Sequence, residues 1–219
     1  MSRQFPCDVK DGHFGRPRLV ISDDSLAVLT KLEVLNLSSN NLTRVPRGLP
    51  TTLTNLALSD NRIQYIFEED FKELHHLKAL TVHGNCPRCG NAPFLCVPCP
   101  NISLGIHPNA FANLTQLKTL HLAGNSLTVL NDFWFENLRH LTKLMLSFNL
   151  LQNAIQGELK SFSSLLYLQH LDLSFNFGHN AYPKTVQLSN GFSKLRSSPT
   201  VAKHIPIRKQ TVSRFSKYA

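Results

Sequence analysis

The sequence is short of acid. Against 23 Lys and Arg it carries 14 Asp and Glu, a formal net charge of +9 over 219 residues. That excess is uneven: six of the basic residues and none of the acids lie from Arg196 onward, which leaves +3 for residues 1–195. The basic character is mostly a property of the tail, and a weak argument for nucleic-acid binding by the rest. No run of 18 or more apolar residues occurs, which excludes a membrane-spanning helix within the sequence. The opening MSRQFPCDVKDGHFG lacks the apolar stretch of a signal peptide, although features described below point to a secretory compartment. The two together read as an incomplete chain. No H-E-x-x-H, Walker or nucleophile-elbow pattern occurs either, so the expectation is a binding scaffold, not an enzyme, with no cofactor and no metal.

What is present is a repeat. The template L-x-x-L-x-L-x-x-N occurs six times, as LEVLNLSSN, LTNLALSDN, LKALTVHGN, LKTLHLAGN, LTKLMLSFN and LQHLDLSFN. Its closing asparagines are Asn40, Asn61, Asn85, Asn125, Asn149 and Asn176, spaced by 21, 24, 40, 24 and 27 residues. All but one of these fall in the leucine-rich-repeat range, and the outlier is a 24-residue repeat carrying a 16-residue insertion. In each L-x-L, such as Leu35 and Leu37, alternate side chains of a short strand point into the core and the residue between them faces outward. Each asparagine leaves the strand at a turn, where its amide is placed to bond open backbone groups of its own and neighbouring coils. A second pattern, F-x-x-L-x-x-L, recurs at Phe71, Phe111, Phe135 and Phe162 and would fill the other half of each coil. The expected fold is an α/β leucine-rich-repeat solenoid, a horseshoe segment with short parallel strands on the concave face and irregular or helical turns on the convex face.

The expected organisation is a remnant N-terminal segment over 1–24, six full repeats and a partial seventh over 25–195, and a basic, disordered tail over 196–219. Phe192 and Leu195 open the seventh repeat before the pattern stops. A complete solenoid needs polar caps over its end coils. Cys7 in FPCDV would suit the first cysteine of such a cap, but no partner cysteines follow it closely. Open ends expose apolar coils, so the chain expressed alone is expected to aggregate.

The insertion, residues 86–101, begins NCPRCGNAPFLCVPCP and holds Cys86, Cys89, Cys96 and Cys99 in the spacing C-x2-C-x6-C-x2-C. Two C-x2-C pairs suit zinc, but a zinc ribbon separates its pairs by about 15–20 residues. A six-residue gap among Pro87, Pro93 and Pro98 suits a compact loop stapled by disulfides better. A redox CxxC is the third reading, without a thioredoxin-like unit around it. Four sequons, at Asn36, Asn41, Asn101 and Asn113, add to the case for an oxidising, glycosylating route.

NCPRCGNAPFLCVPC after a leucine-rich repeat resembles the cysteine-rich loop shared by toll-like receptors 7, 8 and 9, the endosomal nucleic-acid-sensing subfamily. NAPF and CVPC sit nearest the receptor 8 branch, with receptor 7 next. SLTVLNDFWFENL and LDLSFNFGHNAYPKTVQLSNGFSKL resemble the same group, and the resemblance covers about residues 25–195. It implies nested disulfides, Cys86–Cys99 around Cys89–Cys96. It also implies an innate immune receptor that senses single-stranded RNA or its degradation products. Such a receptor works as a homodimer in the endosome or lysosome after passage through the endoplasmic reticulum. The family's membrane span and signalling domain have no counterpart in the sequence, and its main small-ligand pocket is built from later coils. FPCDV joins directly to a mid-solenoid repeat, as if exons were skipped.

The outward strand positions supply the candidate ligand face: Lys78, His83, Lys118, His121, Lys143 and His170, opposed by Glu33 and Asp172. Lysine and histidine there suit phosphates, and histidine would gain charge on endosomal acidification. A glycan on Asn36 would obstruct part of that face. The rival readings are a soluble decoy or protein-binding extracellular leucine-rich-repeat protein, and a truncated product without a function.

Overall fold

A computed structural model describes residues 19–86, 103–151, 154 and 160–176 of the chain. Each L-x-L becomes one three-residue strand: β1 Val34–Asn36, β2 Asn55–Ala57, β4 Ala79–Thr81, β6 Thr119–His121, β7 Lys143–Met145 and β8 His170–Asp172. They form one parallel sheet in the order β1-β2-β4-β6-β7-β8. Two further short strands, β3 Tyr65–Ile66 and β5 Gly105–Ile106, pair in parallel on the flank. Strands this short cannot hold alone. Each coil is closed by its neighbours, as in any stacked-repeat protein.

The register is strict. Leu35, Leu56, Leu80, Leu120, Leu144 and Leu171 align across the sheet and point inward. The convex half is filled by Phe71, Phe111, Phe135 and Phe162, all fully buried. Phe71 stacks near Phe111 at 6.2 Å, and Phe135 lies tilted against Phe162 at 5.5 Å. Three of these rings close short 3-10 turns, Glu69–Phe71, Asp132–Phe135 and Lys160–Phe162. Asn131 caps the second by accepting from the Phe133 N–H. Burying each such ring contributes about 1.5–3 kcal/mol over leaving it in water.

The asparagines of the template stitch the coils together. The Asn149 amide donates to the carbonyls of Leu146 and Ser147 in its own coil and of Leu122 in the one before, while its Oδ1 accepts from the N–H groups of Asn125 and Leu127. Asn61, Asn85, Asn125 and Asn176 repeat that pattern one coil at a time. Asn40 is half-buried and, among the described residues, donates within its own coil, to Leu37 and Ser38.

The folded body begins ahead of residue 25. Ile21 packs against the core, and Asp23 accepts from Arg44 at 2.6 Å. The partial seventh repeat and the tail 196–219 lie outside the described residues.

Candidate functional site

The concave sheet works as a grid. Because every coil repeats the template in register, each outward template position becomes a row running across the coils. Glu33, Thr54, Lys78, Lys118, Thr142 and Gln169 make the row at the entrance to the strands. Val34, Asn55, Ala79, Thr119, Lys143 and His170 make the next, and Asn36, Ala57, Thr81, His121, Met145 and Asp172 the one after. The structure therefore brings the sequence candidates together in a defined way. The Lys118 N–H donates to the Lys78 carbonyl, and the Lys143 N–H to that of Lys118, so three exposed lysines follow one another down adjacent strands. Lys143 lies in register with the half-buried His170.

His83 and His121 form a stacked pair, with ring centroids 4.5 Å apart. The His83 Nε2 lies 3.4 Å from an Asp60 carboxylate oxygen, and its Nδ1 is enclosed without a hydrogen-bond partner. Burial pushes the His121 pKa down to about 4, helped by His83 and Lys143 and opposed by Asp172 and Asp60. This corrects the expectation of acid-induced charge at that position: His121 stays neutral at pH 5, because the ring is half-enclosed and next to another imidazole. Asp172 is buried, with its Oδ1 accepting from the Ser174 N–H and hydroxyl.

Sequence reasoning missed the row beyond these. The residue just before each template asparagine has a positive φ in all six coils: Ser39, Asp60, Gly84, Gly124, Phe148 and Phe175. That left-handed turn suits glycine. A bulky side chain there costs on the order of 1 kcal/mol or more. The last two coils nonetheless place phenylalanine in it, at φ 55° and 57°. The two rings stand out from the body, 59% and 67% exposed, and stack nearly parallel at 4.3 Å. A signal for them was in the sequence, since LSFN occurs twice, at 146–149 and 173–176.

Among the cysteines, Cys86 is fully buried and disulfide-bonded, and its carbonyl accepts from the Ser126 hydroxyl at 2.7 Å. Cys89, Cys96 and Cys99, and with them the nested pairing, lie outside the described residues. Among the described residues no group of three or more His, Cys, Asp or Glu is placed to hold a metal. Of the sequons, Asn36 is exposed on β1 and its Oδ1 accepts from the Ser38 N–H. Asn41 is half-buried with an enclosed, unpartnered Oδ1. Asn113 donates to the Lys72 carbonyl on the outer side. Asn101 lies outside the described residues. No helix among the described residues is long and apolar enough to cross a membrane.

The leucine rich repeat family model matches residues 30–86, 100–151 and 115–176. Human toll-like receptor 8 is 48% identical over 179 residues, which is 81% of this chain and 17% of that protein. Mouse toll-like receptor 7 is 44% identical over 178 residues (81% and 17%), and human toll-like receptor 9 is 40% identical over 180 residues (82% and 17%). The chain thus spans about a sixth of the length of the curated relatives it matches.

Proposed function

Because the chain belongs to the leucine-rich repeat family and its relatives are toll-like receptors, we propose that it is a segment of an innate immune pattern-recognition receptor that senses single-stranded RNA or its degradation products. The observation that carries this reading is the stacked Phe148–Phe175 pair, exposed on a backbone that disfavours large side chains. A solvent-facing ring pair is a platform on which a planar base stacks. Lys143 lies on β7, the strand that leads to Phe148, and Lys118 at the entrance of the strand before it, on the same face. His121 itself adds no charge to this face at endosomal pH.

The longer receptor would act as a homodimer in the endosome or lysosome, having passed through the endoplasmic reticulum. Disulfides Cys86–Cys99 and Cys89–Cys96 and glycans at Asn36, Asn41, Asn101 and Asn113 belong to that route. The test is equilibrium binding of a short single-stranded RNA and of free nucleosides to the full chain, secreted from mammalian cells, at pH 5.5. Replacing Phe175 with Ala is expected to weaken binding roughly tenfold, since stacking one base is worth about 1–3 kcal/mol. Unchanged affinity in both Phe148→Ala and Phe175→Ala variants would sink the reading and favour a protein-binding decoy.

A further inference from the structure

Two phenylalanines make a platform only if both rings leave their coils in the same direction. The Phe148 N–H donates to the Ser174 carbonyl at 3.0 Å. That one bond joins the peptide plane ahead of Phe148 to the plane ahead of Phe175. The rotation that follows each plane is nearly the same, φ 55° at Phe148 and 57° at Phe175. Joined planes with matching rotations send the side chains out in parallel, and the rings meet at 4.3 Å and 10°. The pair is therefore only as ordered as Ser174.

Ser174 is held by Asp172, the last residue of β8. One carboxyl oxygen of Asp172, Oδ1, accepts the Ser174 N–H at 2.9 Å and the Ser174 hydroxyl at 2.6 Å. Asp172 is 7% exposed, so it acts through Ser174 and not by contact with a ligand lying on the rings. The repeat does not require a carboxyl at this position. In register with it stand Ala57, Thr81, His121 and Met145 of the four preceding coils. Those coils make the same left-handed turn, at Asp60, Gly84, Gly124 and Phe148. Burying a carboxyl is unfavourable unless its oxygens are bonded, and a buried carboxyl that the fold can do without has a local task. Asn36 shows that an amide oxygen can do the same, since its Oδ1 accepts the Ser38 N–H at 2.9 Å.

We propose that Asp172 is the positioning residue of the aromatic platform: it fixes Ser174, and through Ser174 holds Phe148 and Phe175 parallel before a planar base arrives. Rings ordered in advance lose less freedom when a ligand binds. The inference rests on the base-stacking reading above for its ligand, and on the hydrogen bonds alone for the geometry of the pair.

The experiment reads the pair without ligand and with it, in the full chain secreted from mammalian cells. Isotope labelling of phenylalanine reports, by NMR, the ring-current shifts that stacked rings impose on each other. Titration with a free nucleoside reports binding. The variants are Asp172→Met, Asp172→Asn and Ser174→Ala. Methionine is the residue that the preceding coil carries in register, so the first variant keeps a side chain that the turn accommodates. Asp172→Met is expected to shrink the ring-current shifts of both phenylalanines and to weaken nucleoside binding about fivefold, the loss expected when ordered side chains become free. Asp172→Asn keeps an oxygen for the Ser174 N–H, as Asn36 does for Ser38, and should restore both readouts to those of the parent. Ser174→Ala keeps the N–H bond and loses the hydroxyl bond, and should fall between the two. A lower melting temperature in Asp172→Met with unchanged ring-current shifts and affinity would make Asp172 a structural residue only and overturn the proposal. Equal impairment in the Asn and Met variants would also overturn it, since the hydrogen bond to Ser174 would then not be what orders the rings. Should Asp172→Met not fold, Ser174→Ala carries the test, and parental ring-current shifts in it sink the idea. If the shifts collapse in Asp172→Met while the parent binds no nucleoside, the positioning role stands and the base-stacking reading falls.

Discussion

Asn40 and Asn149 occupy the same template position and do different work. Asn149 lies in an inner coil, buried, and bonds its own coil and the preceding one through both amide atoms. Asn40 is half-buried and, among the described residues, bonds Leu37 and Ser38 of its own coil. The leucines follow suit. Leu144 is sealed, Leu35 is half-buried, and Val34 beside it stands largely in water. Identical residues therefore contribute according to how many coils flank them. That is the nearest-neighbour energetics of stacked repeats, in which the interface between coils carries more of the stability than the coil itself.

The comparison breaks most visibly in the core. Phe111→Ala, between sealed coils, is expected to cost about 3–5 kcal/mol, whereas Leu35→Ala should cost no more than about 2 kcal/mol. Guanidinium midpoints at constant slope measure both, and equal losses would mean that position in the stack does not matter. Next come the asparagines. Asn149→Ala strands several buried backbone groups and should cost on the order of 3 kcal/mol, against about 1 kcal/mol for Asn40→Ala. The turn row sharpens the contrast on a smaller scale. Gly84 and Gly124 share a positive φ, so Ala at either should cost about 1 kcal/mol. At Gly84 the new Cβ would also collide with the Asp60 carboxylate, 2.3 Å away, while at Gly124 the nearest atom is at 3.6 Å. Only Gly84→Ala should therefore disturb the Asp60–His83 contact, read as a change in the His83 ring chemical shifts by NMR at constant pH.

The smallest effect compares the concave face with the convex one through pH. His121 titrates near 4 instead of 6.5, so its contribution is present above pH 6.5 and is lost as pH falls through about 4. Asp70 runs the other way. Burial lifts its carboxyl to about 6, although the Phe67 N–H bond to it pulls downward. Its contribution is present below its ordinary 3.8 and is lost as pH rises through about 6. Melting temperatures between pH 4 and 7 should fall less steeply on acidification in His121→Gln and more steeply in Asp70→Asn. Parallel profiles in the two variants would remove the contrast between the faces.

The solenoid was legible because its cause is local and periodic. L-x-L states a strand with one buried side, the phenylalanine every repeat states a convex filling, and the asparagine states a turn. The candidate lysines were legible for the same reason, since their template position alone sets them facing outward. The histidines were only half legible. His83 and His121 have outward positions by the template, and the repeat spacing makes their coils neighbours, but nothing in the string says that their rings stack. Phe148 and Phe175 escaped notice because a residue after the strand ordinarily carries no conformational message unless it is glycine. Here Gly84 and Gly124, in the same position of other coils, were the clue to a left-handed turn.

The sequence by itself determined the repeat, the direction each template residue faces and the polar stitching of one coil to the next, because these follow from periods of two residues in a strand and about two dozen in a coil. Only the tertiary structure decided which side chains from different coils meet. Stacking parallel strands in register places residues 21 to 40 positions apart side by side. It is that register, together with burial, that paired Phe148 with Phe175, stacked His83 on His121, and kept His121 uncharged.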